Sequence, residues 1–197
     1  QQEGVVAAAP FVLTQAVVHA TRHNHFEPAA IEGIPAAQAG PQTTQIRTRL
    51  SKGEFTFSTT DGKNHGAVLG TKLAERLNVI PGVDSIQIIT LTNEIDRATG
   101  QPIPSFMTFE VTGIFDTGMY EYDNSYVVVS LEAAQEVARL GESVTGLEVR
   151  TPTRQAAFAI GEKLGESLGA NFRIVDWHQQ NNSLFTALKL EKLGMTV

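Results

Sequence analysis

The sequence predicts an α+β protein of two lobes, a discontinuous first lobe with a β-rich lobe inserted into it. Three features carry this expectation: strand-like alternation in the first 34 residues, a strand-dense block over residues 35–115, and interleaved strands and amphipathic helices after residue 116. The expected lobes are residues 1–34 with 116–197, and residues 35–115. At 197 residues the chain can build one large core or two small ones. Its 42% hydrophobic content, with only 18% charged residues, excludes a disordered chain. Fifteen basic against 21 acidic residues give a net charge of −6, which argues against non-specific nucleic-acid binding. Without cysteine there is no disulfide framework, zinc–thiolate site or thiolate nucleophile. No apolar run approaches the ~20 residues of a membrane span, and no signal peptide is visible. The opening Gln1-Gln2-Glu3-Gly4 does not resemble a natural start, so the chain reads as a soluble piece of something larger.

The elements follow in order. Residues 5–9 are extended in character, and from Leu13 apolar and polar residues alternate, as in a strand with one buried face. A second strand covers residues 29–34, closed by Gly33 and Pro35, and residues 35–45 form a connection rich in proline and small residues. Phe55-Thr56-Phe57, the hairpin signal Asp61-Gly62 and Ala67-Val68-Leu69 predict a pair of strands. Gly70-Thr71 opens a short helix with Leu73 and Leu77 on one stripe. After the Pro81-Gly82 turn, residues 85–91 and 106–115 read as the two arms of a hairpin with a long tip between them. In its second arm Met107, Phe109 and Val111 alternate with Thr108, Glu110 and Thr112.

Residues 126–129 form a buried strand, and Ser130 caps a helix running through Leu140 to stop at Gly141. Residues 147–150 and 172–175 read as strands flanking a helix that Pro152 starts and Gly169 ends, a β-α-β unit. That unit is expected to pack with the residue 5–9 strand, with Trp177 partly buried on the first lobe. An amphipathic segment over residues 182–193 closes the chain.

The residues that could carry chemistry are few. His19, His23 and His25 are close enough to hold a metal, and His-x3-His would present both rings on a helix face. The flanking pattern is strand and turn instead, so a polar hairpin tip is the expectation, with no metal. Asp116, Glu121 and Asp123 lack calcium-loop spacing and read as a turn-rich loop anchored by Tyr120 and Tyr122. There is no phosphate-binding glycine loop and no nucleophile elbow. No catalytic residue and no cofactor is therefore expected. The segment of residues 93–104 stands out: Asp96, Arg97 and Gly100 can make a turn, while Pro102-Ile103-Pro104 is stiff and extended. Little entropy then remains to be lost on docking, which suits a partner contact; a variable surface hairpin is the alternative reading of the same residues.

The string Gly113-Ile114-Phe115-Asp116-Thr117-Gly118-Met119-Tyr120-Glu121-Tyr122-Asp123 resembles the centre of the periplasmic domain of lipoprotein-releasing ABC transporter permeases, the LolC/LolE family. So do Ser130-Leu131-Glu132-Ala133-Ala134-Gln135, Asp176-Trp177, Leu184-Phe185 and Leu190-Glu191-Lys192, with Ile31-Glu32-Gly33-Ile34, Leu69-Gly70 and Leu73-Ala74 in the expected order. The resemblance implies a porter-like lobe with an inserted sabre-like lobe, as in MacB-type permeases, on the periplasmic face of the inner membrane. It further implies a lipoprotein substrate, a periplasmic carrier, a partner permease and a cytoplasmic ATPase, with no nucleic acid. Residues 93–105 occupy the position of the hook that engages the carrier in that family. The implied contact residues are Ile95, Asp96, Arg97, Gly100, Pro102, Ile103 and Pro104. Gln87, Phe106 and Met107 depart from the basic or polar residues that the family's supporting face implies. A MacB-type efflux ectodomain docking an adaptor is the competing reading, and a metal-dependent enzyme using the histidines is a third.

Overall fold

In a computed structural model the described residues are 4–37, 40–59, 62, 65–96, 99–169 and 172–175. The ordered elements are β1 (Ala7–Ala20), β2 (His25–Ile34), a 3₁₀ turn (Ile46–Arg49), β3 (Leu50–Gly53), β4 (His65–Gly70) and α1 (Thr71–Leu77). They continue with β5 (Ser85–Ile95), β6 (Pro102–Phe115), α2 (Tyr120–Ser125), β7 (Tyr126–Ser130), α3 (Leu131–Ala138), β8 (Gly146–Arg150) and α4 (Arg154–Leu168). Two compact units result: residues Ala8–Glu148, and Gln1–Ala7 with Val149–Val197.

In the larger unit the strand order is β2-β7-β4-β6-β5-β1-β8, with β3 on β6. Because β1 also pairs with β2, the strands β1, β2, β7, β4, β6 and β5 close into a ring. Pairs β2–β7 and β4–β6 are parallel; β1–β2, β1–β5, β5–β6 and β4–β7 are antiparallel. Period-2 alternation sends Val18, Ile31, Leu69, Ile86, Phe109, Val111 and Val127 into one core. Leu73 and Leu77 of α1 and Ala133, Ala134 and Val137 of α3 complete it.

The expected division at residues 34/35 and 115/116 is therefore corrected. Strands β4 and β5, from the supposed insert, hydrogen-bond to β7 and β1 from the supposed flanks. The reason is the shared core, since neither set of strands could bury its inner face alone. A second cluster on the outer face joins Ile34, Ile46, Val68, Phe115 and Val128, which explains why the end of β6 is buried on both sides.

Local capping follows the sequence closely. Ser130 Oγ accepts the Ala133 N–H at 3.2 Å, and α1 begins at Thr71 as expected. Helix α3 stops at Ala138 rather than Leu140, because Arg139 takes the left-handed conformation at φ 55°. Helix α4 is capped by Thr153, whose hydroxyl accepts the Ala156 N–H, so Pro152 lies outside it rather than at its first position. Phe55-Thr56-Phe57 is irregular, although Phe57 O accepts the Gly66 N–H at 2.9 Å. Asp61 lies outside the described residues.

In the smaller unit Val6 N–H donates to Arg150 O at 2.9 Å, so the strand neighbours expected there are found. Residues 172–175 form no strand. Instead Ile174 comes back onto α4 at Gly161 and Gly165, where a Cβ on either glycine would meet it in ordinary contact, at 3.4 and 3.7 Å. Trp177 and residues 182–193 lie outside the described residues.

Gly33 is where α3 meets β2, and a Cβ there would stand 2.2 Å from Ala134 Cβ. Gly33→Ala is expected to lower stability by about 1–3 kcal/mol through overpacking. Urea unfolding measures it, and an unchanged midpoint would contradict this close approach.

Candidate functional site

Strands β5 and β6 form a two-stranded arm whose register runs from Ser85 opposite Glu110 to Ile95 opposite Pro102, with an irregularity between Leu91 and Ile95. At the tip Gln101 O accepts the Asp96 N–H at 2.9 Å, and Asp96 O accepts the Gly100 N–H at 2.7 Å. Gly100 takes φ 69°, which a side chain would strain, so a glycine makes this turn. The sequence-named residues Ile95, Asp96, Gly100, Pro102, Ile103 and Pro104 thus come together on one hairpin; Arg97 lies outside the described residues.

The tip is apolar and accessible: Leu91 is 71% exposed, Ile95 62%, Phe106 58% and Ile103 40%. Leu91 is not among the contact residues named from the sequence, where Phe106 stands only as a departure from the implied supporting face. The available signal was Phe106 itself, an apolar residue in the polar phase of β6. Alternation puts Pro104 and Phe106 on one face of β6 and Ile103 on the other, in phase with Met107 and Phe109. Cross-strand pairing extends the outer face, with Phe106 opposite Ile89, Ile89 opposite Val17 and Val17 opposite Pro28.

The histidines are dispersed by a tight hairpin between β1 and β2. His19 stacks on Phe26 at 4.1 Å, with Nδ1 3.3 Å from Gln87 Oε1. His25 Nε2 is 3.3 Å from Glu27 Oε1, and His23 Nε2 is 3.5 Å from Asn78 Nδ2. Among the described residues no three His, Cys, Asp or Glu side chains converge as metal ligands.

The acidic run turns out to be partly helical. Buried Asp123 accepts the Thr117 N–H and hydroxyl, each at 2.8 Å, and the Gly118 N–H at 3.0 Å. Its carboxylate thus closes residues 117–123 onto the start of α2. Tyr122 packs on Tyr126 at 4.7 Å between centroids, but Tyr120 is 74% exposed and anchors nothing.

Nothing in the local sequence pointed to a second feature, a pocket of about 280 Å³ on the outer face of β2. Glu32 forms its floor, Glu148 comes from β8, and the segment of residues 43–49 and the start of α2 supply the walls. Arg47 fixes one wall by donating to Pro35 O and Ala36 O, with its guanidinium 4.6 Å above the Phe55 ring. Glu32 Oε2 is shielded from solvent and has no hydrogen-bond partner among the described residues. Burial, and next the Glu148 charge, push the Glu32 carboxyl up from 4.5 to about 7. Burial and then Tyr122 push the Tyr126 phenol up to about 12.

The profile of the MacB-like periplasmic core domain matches residues 1–166. The lipoprotein-releasing system transmembrane protein LolC of Xylella fastidiosa (strain 9a5c) is 28% identical over 193 residues, covering 98% of this chain and 44% of LolC. The LolC of Neisseria meningitidis serogroup B is 28% identical over 197 residues, covering 100% of the chain and 46% of the relative. The chain thus spans about half the length of the curated relatives it matches. Among solved structures, the extracellular domain of the noncanonic ABC-type transporter YknZ from Gram-positive bacteria is similar in fold. Its TM-score is 0.51 at 16% identity, over 85% of this chain and 79% of that one. No helix among the described residues is long and apolar enough to cross a membrane.

Proposed function

Because the chain belongs to the MacB-like periplasmic core domain family, we propose that it is the periplasmic domain of a lipoprotein-releasing ABC transporter permease in the inner membrane. In this reading it works with a partner permease and a cytoplasmic ATPase, and the β5–β6 arm docks the periplasmic carrier that takes the released lipoprotein. The 28% identity to LolC over nearly the whole chain supports the transporter class. The observation that carries the docking role is the apolar tip of the arm, where Leu91, Ile95, Ile103 and Phe106 are all exposed. The turn hydrogen bonds and Pro102 and Pro104 hold that tip in shape, so less ordering is lost when it enters an apolar cleft.

Titration of the carrier against wild type and variants tests the reading. Deleting residues 96–103 is expected to abolish binding, since it removes Ile103 and both turn hydrogen bonds. Ile103→Asp is expected to weaken it about tenfold or more, the usual size for loss of an apolar anchor. Melting curves should barely move, because a loop tip adds little to the core. Phe106→Asp reports on the opposite face of the arm, so its effect relative to Ile103→Asp tells which face docks. Unchanged affinity in the deletion and in Ile103→Asp would sink carrier docking and shift weight to the efflux-type ectodomain.

A further inference from the structure

We propose that the pocket floored by Glu32 is a binding site for a primary ammonium group carried on a short alkyl stem. The motivating observation is the Glu32 side chain, which lines the pocket with a shielded Oε2 that meets no donor among the described residues. A buried carboxylate without a partner is costly, and a cation in the cavity would relieve that cost. Charge complementarity sets the ligand's valence. Glu32, Glu148 and Arg49 line the pocket, so with Glu32 ionised the described charged lining sums to −1 and one positive charge balances it.

The remaining lining sets the ligand's chemistry. An ammonium carries three donors and no acceptor, and the Thr44 and Thr117 hydroxyls and the Gln45 amide, which line the same pocket, can serve as further acceptors. Ile46 and Met119 supply apolar lining for the stem, and Tyr122 lines the pocket beside them. A divalent metal fits poorly. Calcium takes six to eight oxygens, the guanidinium of Arg49 opposes a dication, and no trio of metal-ligating side chains converges among the described residues.

The charged groups that line the pocket with Glu32 are Glu148 from β8 and Arg49 from the 3₁₀ turn, with Tyr122 of α2 and Tyr126 of β7 as further titratable neighbours. Burial, and next the Glu148 charge, raise the Glu32 carboxyl to about 7, so ammonium binding should strengthen as pH rises through that value.

The test is calorimetric titration of n-butylammonium chloride into the chain at pH 8.5 and pH 5.5, against sodium chloride at equal ionic strength. Saturable binding is expected at pH 8.5, at least tenfold weaker at pH 5.5. Glu32→Gln should weaken it at least tenfold at pH 8.5, and Glu148→Gln by a smaller factor, with melting curves confirming that both fold. Equal affinity of wild type and Glu32→Gln would overturn the proposal. So would affinity that does not change between the two pH values, a result that needs no variant. A parallel titration with calcium chloride decides the metal alternative: calcium binding lost in Glu32→Gln, without butylammonium binding, would overturn the ammonium assignment.

Discussion

Glu32→Gln raises the stability of this protein by up to about 3 kcal/mol at pH 8 and leaves it nearly unchanged at pH 4. The folded protein holds the Glu32 carboxyl at about 7 instead of 4.5, first through burial and then through Glu148. Between those two values the folded state keeps a proton that the unfolded state has released. Stability from this group is therefore fully present below pH 4.5 and falls as pH rises, until the carboxyl ionises in both states above pH 7. A shift of about two and a half units corresponds to about 3 kcal/mol. Glutamine keeps the shape without the charge, so the difference between variant and wild type should open across that pH window and then level off. Urea unfolding of both proteins from pH 4 to pH 8.5 measures it. Parallel curves at all pH values would show that Glu32 ionises as an exposed carboxylate does.

Phe109→Ala costs about 3–5 kcal/mol, the range for deleting a fully buried aromatic. Phe109 is fully buried in β6, opposite His65 of β4 and Ile86 of β5, with the His65 ring 5.8 Å away. It lies in the middle of the segment first read as a separate lobe, yet it belongs to the core that also holds Val18 of β1 and Val127 of β7. A shared core has a further consequence. The ring should unfold in one transition, and Phe109→Ala should shift that transition as a whole, by roughly 6–20 °C for a chain of this size. Differential scanning calorimetry decides the matter. If residues 35–115 unfolded separately, with the flanking strands unmoved by the mutation, the corrected architecture would be wrong.

Most strands and short helices were legible locally. Alternation at Met107, Phe109 and Val111 marks the core face of β6, Ser130 marks the start of α3 through its own capping hydroxyl, and Gly70-Thr71 marks the start of α1 without a side-chain cap. The apolar hairpin tip was also legible, because Pro102-Ile103-Pro104 with Gly100 has few conformations open to it and no means of burying itself. Residues 172–175 were misread, since a short apolar run is consistent with a strand or with a segment that packs on a helix. In the structure Ile174 lies against α4 at Gly161 and Gly165.

By itself the sequence determined which face of each segment is apolar, where several helices begin, and that the molecule is a cysteine-free acidic α+β protein with a protruding apolar hairpin. Tertiary structure alone decided that the strands close into a single ring. Period-2 alternation specifies that a face must be buried but not which strand buries it, and β1 meets β5 across a separation of about 70 residues. It alone also decided Glu32. In the strand Ile31-Glu32-Gly33-Ile34 a glutamate reads as a solvent-facing position. Its environment is built by residues 43–49, the start of α2 and Glu148, each brought over β2 from a different part of the chain. Desolvation depends on everything packed around a group, and no window of sequence contains it.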